Sequence, residues 1–496
     1  MAPDRWSVGL KLFFEGRSEL SRFFGLSLVR DFLSSAFCPT SASYAAHAQS
    51  PIQVYNSVRD AIWAWTIGNL SQRTPIPLFI LNNLVTVLTL LIKLQFPESW
   101  PTAFSDLLEV GSGSTTGLDL AVRVICDLEV EVVMFSEGRG KAEIAHNVLI
   151  KDAMRANEDS IVRRLVDFLC QSAASVRSAN VDLSERCLRC LAELIGWVDI
   201  SLVACESTLS CMYLAIRDTE LCSAVLACLL EVVKKGMEPT QKIQMLHAIG
   251  LAQVLALVPL GSVAGNKSND DDDDEGSEEE LGLVVDVYLM ELLGCWCKYE
   301  DCLFLTAPAA GGASRPNENG SDTVSSANEL QQLKELAPTI ASLLKSLLPI
   351  ALAVLNHRDE ECTAAASVVP SLGRLITMFK QQATHKAQID AFTSGEGPKS
   401  DYFLASDYLH PLLLGIYQQL QYDEDFGFVV SSDEDSAIIE VRIGDSLINL
   451  YHAYEPRHYL RQGPAGCRAH PSGPHSALPH SWDPYYMSQE HRHPSE

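Results

Sequence analysis

An all-α fold, a right-handed α-solenoid of helical hairpins, is what this sequence predicts, and three observations lead there. Apolar residues recur at three- and four-residue steps along most of the chain, with hardly any of the strict alternation that a half-buried strand needs. Similar helices recur at a fixed offset: Cys190-Leu-Ala-Glu-Leu-Ile195 matches Cys228-Leu-Leu-Glu-Val-Val233, 38 residues further on. That spacing is the period of HEAT and armadillo units, whose helix pairs bury their apolar faces only by stacking on one another. Hydrophobic residues make up 47% and charged residues 20% of the 496, ample for a core that runs the length of an array.

Residues 1–265 carry the first part of that array. The most apolar stretch, Pro75 to Ile92, is 18 residues long, holds Asn82 and Asn83, and has prolines at its entrance. It reads as a buried helix of a soluble protein and not as a membrane span. From Asp182 to Val198, the residues Leu183, Cys187, Cys190, Leu191, Leu194 and Ile195 form one apolar stripe. Asp199 is placed to cap a following helix over 201–216, and another starts near Thr219.

Residues 266–281 read as an acidic disordered loop. Asp270, Asp271, Asp272, Asp273, Asp274 and Glu275 follow one another, Glu278 to Glu280 come next, and 266–280 contains no apolar side chain. The array is expected to continue over 282–455, with flexible inserts near 306–328 and 394–400. A second acidic stretch, Asp423 to Glu440, has seven carboxylates and no Lys or Arg. The last segment, 456–496, is rich in Pro and His without helical period and is expected to be a disordered tail.

Charge and cysteine usage narrow the function. With 37 Lys and Arg against 63 Asp and Glu, the formal charge of -26 excludes coating duplex nucleic acid by bulk electrostatics, so any such contact is local. Residues 1–160 hold 13 Lys and Arg against 17 Asp and Glu, leaving room there for a basic patch. Fourteen cysteines, mostly at apolar helical positions, read as core residues in a reducing compartment. The one Cys-x-x-Cys, Cys187 to Cys190, has no partner pair at zinc spacing, so no metal and no cofactor is expected.

Catalytic patterns are near misses. Gly111-Ser-Gly-Ser-Thr-Thr-Gly117 lacks the Gly-Lys-Ser/Thr ending of a phosphate loop, and Gly138-Arg-Gly-Lys141 is followed by Ala142 where a magnesium-binding hydroxyl is needed. There is no Gly-x-Ser-x-Gly and no His-Glu-x-x-His, and His146 and His247 read as structural groups. The expectation is a protein that is not an enzyme.

One segment is recognisable. In Lys93-Leu-Gln-Phe96-Pro97-Glu-Ser-Trp100-Pro101-Thr-Ala-Phe104-Ser-Asp106-Leu-Leu108, two prolines bracket an indole, so one helix ends, the next begins, and the ring wedges between them. The segment resembles a signature of the exportin branch of the importin-β family, with Ala103 in place of the first Phe of the usual pair. Further blocks, Asn147 to Arg155, Gly196 to Leu202, Glu231 to Pro239 and Leu420 to Phe428, resemble in correct order the tRNA exporters of that family.

The resemblance implies a HEAT superhelix, probing tRNA by the shape and phosphates of A-form RNA, that binds tRNA and RanGTP cooperatively in the nucleus. It further implies contact with FG-repeat proteins of the nuclear pore, release of both ligands in the cytoplasm after GTP hydrolysis, and a monomer that shuttles without a membrane. It also implies a chain shorter than the family's members, cut short at its N-terminus and lacking the C-terminal arm. Candidate tRNA-binding residues are Arg139, Lys141, Lys151 and Arg155; the last two lie four apart on one helix face. The competing reading pairs these cations with Asp152, Glu143 or Glu158. Arg73 and Lys93, which flank the most apolar helix, are the candidate Ran contacts, and the acidic loop is a further candidate for a basic surface on that partner. The alternatives are a karyopherin for a basic protein cargo and a HEAT scaffold independent of Ran.

Overall fold

The computed structural model describes residues 5–37, 52–72, 76–134, 139–156, 160–258, 276–306, 322–357, 363–386, 389 and 402–419. All regular elements among them are helical. The chain opens with a hairpin of α1 (Arg5–Glu15) and α2 (Glu19–Ser34), whose second helix starts at Ser18, where the hydroxyl accepts from the Ser21 amide. The two cross at Gly9 and Gly25. A Cβ on Gly25 would lie 2.5 Å from the Phe13 amide nitrogen and 2.6 Å from the Gly9 carbonyl oxygen, so the backbones themselves touch there.

Next come α3 (Ile52–Gln72) and α4 (Leu78–Gln95), then α5 (Ala103–Gly113) and α6 (Thr115–Leu128). A single π turn, Glu129–Val133, ends α6. After α7 (Lys141–Arg155) follow α8 (Ile161–Val176) and α9 (Val181–Trp197). The helix expected over 201–216 is divided into α10 (Ile200–Val203) and α11 (Glu206–Ala215), because Cys205 is extended. Asp199 caps α10 as its position suggests, accepting from the Ser201 amide at 2.8 Å.

The order continues with α12 (Thr219–Lys234), α13 (Pro239–Ala248) and α14 (Leu251–Leu255), the last two separated by Gly250 at φ 71°. Then come α15 (Gly276–Thr306), α16 (Asp322–Leu355), α17 (Thr363–Ser367), α18 (Val369–Thr384) and α19 (Ser406–Gln419).

Serial packing organises these helices. The second members of successive hairpins form one row in which α2 packs on α4, α4 on α6, α6 on α9, α9 on α12, α12 on α15 and α15 on α18. Their partners α1, α5, α8 and α11 lie alongside α2, α6, α9 and α12 respectively. The two segments that match at the 38-residue offset lie on α9 and α12, direct neighbours in the row, and Cys228 Sγ donates to the Leu188 carbonyl at 3.1 Å across that contact. This is the arrangement an α-solenoid requires, each repeat covering the next.

Membership of the row explains composition. Helix α4 is flanked by α2 and α6 and also meets α3, so Ile80, Leu84, Leu88 and Leu91 are all buried, as is Asn83, which donates to the Phe23 carbonyl. Two described helices, Leu78–Gln95 and Gln331–Leu355, are long and apolar enough to cross a membrane, but 72% and 61% of them are covered by the rest of the protein. Helix α7 stands apart from the rows and packs only on the π turn and α8 among the stronger contacts.

The acidic run differs from the expected loop at its end. Because α15 begins at Gly276, Glu278 and Glu279 sit in the first turn of a helix, where the macrodipole favours carboxylates, and Glu280 reaches Arg189 at 3.4 Å. Asp270, Asp271, Asp272, Asp273, Asp274 and Glu275 lie outside the described residues, as do the 394–400 insert, the acidic stretch 423–440 and the tail 456–496. The 306–328 insert is bounded more tightly, since α16 already begins at Asp322.

Candidate nucleic-acid interface

The proline-bracketed indole makes a corner. After α4 the chain turns at Phe96, whose peptide to Pro97 is cis. Trp100 is 5% exposed, its Nε1 donates to Asp106 Oδ2 at 2.7 Å, and Thr102 donates to the same oxygen at 2.9 Å. Phe96 and Phe104 meet edge to face at 5.0 Å, and Trp63 of α3 meets Trp100 the same way at 5.4 Å. Arg59 of α3 lies over the indole at 5.6 Å and donates to Gln95 Oε1 and the Ser99 carbonyl, so α3 and the corner are tied by one guanidinium. Ala103 is fully buried within this cluster.

At the other side of α4 the structure corrects the reading of Lys93. Its side chain is 1% exposed, and Nζ is bonded to Glu131 Oε2 at 2.8 Å and Glu143 Oε1 at 2.7 Å. An ammonium enclosed in this way is not offered to a partner; it neutralises two carboxylates that would otherwise crowd the junction of α4, the π turn and α7. His146 Nε2 is bonded to the Lys93 carbonyl at 2.6 Å, and Asn147 donates to the Glu131 carbonyl at 3.1 Å, so α7 is fastened to both neighbours. Arg73, the other candidate Ran contact, lies outside the described residues.

Helix α7 carries three of the four candidate RNA contacts, and their placement follows from its period. At about 100° per residue, Lys141, Ile144, Val148, Lys151 and Arg155 fall within an arc of about 80°, while Asn147, Ile150 and Met154 are the buried side. Lys141 is exposed and Lys151 half-buried, and neither makes an ion pair among the described residues. Arg139 belongs to the approach to α7. Its guanidinium donates to the Met134 carbonyl and, at 2.6 Å, to the Val130 carbonyl, and lies 3.7 Å from Glu143. It therefore closes the carbonyl end of the π turn, a structural duty that α7's lysines do not share.

Arg155 is held by the end of α9. It lies over the Trp197 ring at 4.8 Å and donates to the Trp197 carbonyl at 2.9 Å. The indole in turn donates to Glu129 Oε2 at 2.6 Å. Glu129 is 6% exposed, and burial pushes its carboxyl up to about 8, with the Trp197 bond and the Lys151 charge pulling down and Glu193 adding to the rise. Below that value the carboxyl is neutral, so it does not cancel the neighbouring cations.

Sequence reasoning missed a fifth cation in this place. Lys235, just past α12, donates to the Val198 carbonyl at 2.7 Å. Burial holds its ammonium below the ordinary range, Glu231 and Asp199 oppose that, and Arg155 adds to it. Lys235 and Arg155 thus donate to neighbouring carbonyls, those of Val198 and Trp197, at the end of α9. A signal was present in the sequence: Trp197 and Lys235 sit in two of the blocks that resemble the tRNA exporters, but nothing in a linear reading joins them. The Gly111 to Gly117 segment is the turn between α5 and α6, with Ser114 accepting from the Gly117 amide at 3.0 Å.

Comparison with known proteins falls on this same region. Residues 77–229 match the family described as Exportin 1-like protein, a span that includes the Trp100 corner, Lys93, α7 and the Arg155–Trp197 contact. Exportin-T of Dictyostelium discoideum is 25% identical over 263 residues, covering 52% of this chain and 22% of that protein. Exportin-T of Homo sapiens is 28% identical over 202 residues, 40% and 20% of the two chains, and that of Danio rerio is 23% identical over 387 residues, 78% and 34%. These alignments take in about a fifth to a third of each relative's length. The N-terminal half of the chain thus resembles exportin-T, in agreement with the likeness read from Phe96 to Asp106.

Proposed function

We propose that the chain acts in nuclear export of tRNA, as a karyopherin that binds tRNA and RanGTP together in the nucleus and gives up both in the cytoplasm. The observation that carries this reading is the face of α7. Lys141 and Lys151 without ion pairs among the described residues, and Arg155 fixed on an aromatic ring with Lys235 beside it, make a local cationic surface on a chain of net charge -26. Such a surface suits phosphates of a folded RNA, which are met by position and not by base identity. The relatives' name, exportin-T, points to the same cargo. Passage through the pore by contact with FG-repeat proteins, and shuttling between nucleus and cytoplasm, belong to this proposal. So does the absence of catalysis by the chain itself.

A gel-shift assay with labelled tRNA, with and without GTP-loaded Ran, tests the proposal. Retention of tRNA that strengthens with RanGTP is expected, because ligands that favour the same conformation raise each other's affinity. Reversing both charges in Lys151→Glu with Arg155→Glu should weaken binding and flatten its dependence on salt by about one to two released counterions. Unchanged affinity and salt slope in that variant would remove α7 from the interface. The strongly acidic composition favours a second reading, a karyopherin for a basic protein cargo; retention of a basic protein in place of tRNA would select it.

A further inference from the structure

Helix α7 displays an apolar stripe for which phosphate has no use. Ile144, Val148 and Leu149 are 43%, 44% and 62% exposed, on the side of the helix away from the buried Asn147, Ile150 and Met154. Phosphate oxygens engage Lys141, Lys151 and Arg155 and leave the aliphatic carbon between them in water. A ligand that covers this carbon as well gains what the cations alone cannot give.

Spacing identifies the kind of ligand. Lys141, Ile144, Val148, Lys151 and Arg155 follow one another at intervals of three, four, three and four residues. Their mean of about 3.5 is the repeat with which one helix lies along another. The result is a seam about 21 Å long at the rise of an α-helix, with aliphatic residues in its middle and cations toward both ends. Lys141 and Lys151 have no ion pair among the described residues, and Arg155 is steadied over the Trp197 ring at 4.8 Å. Glu143, in the same first turn as Lys141, is turned to Lys93 at 2.7 Å, so Asp152 is the one carboxylate that α7 exposes. A second copy of α7 does not fit this seam, because laid either way round it sets cation against cation.

We propose that this seam is a docking site for an acidic amphipathic helix of a partner protein. Apolar residues of that helix cover Ile144 and Val148, with Leu149 at the flank, and its carboxylates meet Lys141, Lys151 and Arg155. Complementary charge selects the partner: a basic helix brings like charges together, and a neutral one leaves three cations unanswered. The contact is helix against helix, so the main chains on both sides keep their own hydrogen bonds and side chains carry the recognition. The docking stands on the α7 face alone. One consequence rests on the RNA reading: a helix in the seam occupies the cations assigned to phosphate, so RNA and partner exclude each other there.

The probe is a fluorescently labelled synthetic peptide about three heptads long, with leucine at the a and d positions, glutamate at e and g, and alanine elsewhere. Anisotropy with the full chain is expected to show saturable binding that salt weakens. Ile144→Ser with Val148→Ser, both at exposed positions, should weaken it about tenfold or more, since two aliphatic contacts are lost. The same doubly substituted chain should retain tRNA as the wild type does. Lys141→Glu with Lys151→Glu should reject the acidic peptide and accept its counterpart with lysine for glutamate. No saturable binding by the wild type, equal binding of a peptide with glutamine for leucine, or unchanged affinity in the serine variant would each overturn the proposal. Loss of tRNA retention in the serine variant, without displacement of tRNA by the peptide, would give the seam to RNA alone and overturn it too. Binding of the peptide by a wild-type chain that retains no tRNA would strike the RNA reading and leave the docking site in place.

Discussion

Replacing Glu129 by glutamine should change how stability depends on pH. The carboxyl sits at the π turn with a folded value of about 8 against an ordinary 4.5, chiefly because of burial. Between those two values the folded protein holds a proton that the unfolded chain has lost, so stability falls as pH rises through that window and levels off above it. At 1.36 kcal/mol per unit, the rise from 4.5 to about 8 sets a ceiling of about 5 kcal/mol, of which about 3 kcal/mol falls between pH 5.5 and 8. Glutamine keeps an oxygen for the Trp197 indole and has no proton to lose. Urea denaturation followed by circular dichroism, at pH 5.5 and pH 8, should therefore show the variant gaining about 3 kcal/mol on the wild type across that interval. Parallel profiles would mean that Glu129 is ionised in the folded protein, and the argument that it spares the cations around Trp197 would fall with it.

Other substitutions test other joints. Lys93→Met leaves Glu131 and Glu143 facing each other without their shared ammonium, and should cost about 3 to 5 kcal/mol in the same denaturation assay. Gly25→Ala drives a methyl into the backbone of α1, and should cost about 1 to 3 kcal/mol, read as faster amide exchange confined to α1 and α2. Glu300 accepts from Trp296, Gln382 and Tyr402 through one oxygen, at 2.9, 2.7 and 2.6 Å, and so joins α15, α18 and the approach to α19. Glu300→Ala leaves the buried Trp296 indole without its acceptor and takes one acceptor each from Gln382 and Tyr402, and should cost about 3 kcal/mol, while Glu300→Gln, which keeps that oxygen, should cost less; equal losses would refute the account.

The rows of the array were legible in the sequence because they are a matter of period. The stripe from Leu183 to Ile195 and its copy near Cys228 had to face neighbours, and they face each other's helices across α9 and α12. The continuous apolar character of α4 was likewise a statement about position, since a helix flanked on both sides of its row has little solvent face. Side-chain partnerships were not legible, because they join residues remote in sequence. Lys93 finds its carboxylates 38 and 50 residues away, and Trp197 finds Glu129 at a separation of 68. A lysine inside Leu-Leu-Ile-Lys-Leu-Gln-Phe was nonetheless a hint, for an ammonium among so many apolar neighbours is enclosed and paired more readily than displayed.

These buried pairings explain how a chain this acidic keeps a basic face. Helix α7 has two carboxylates of its own, and Glu143 is turned inward between Lys93 and Arg139, leaving Asp152 as the acid it exposes. Glu131 is bonded to Lys93, and Glu129 holds its proton at neutral pH. Glu143, Glu131 and Glu129 are thus cancelled or neutral before any ligand arrives, and the potential at α7 is not that of the whole chain. An anion arriving there would also raise the Glu129 value further by offsetting Lys151, which lowers it. Binding at this face should therefore take up protons and tighten as pH falls from about 9 toward 7, a dependence that Glu129→Gln should remove. A gel shift across that range measures it, and equal slopes in both proteins would separate Glu129 from the interface.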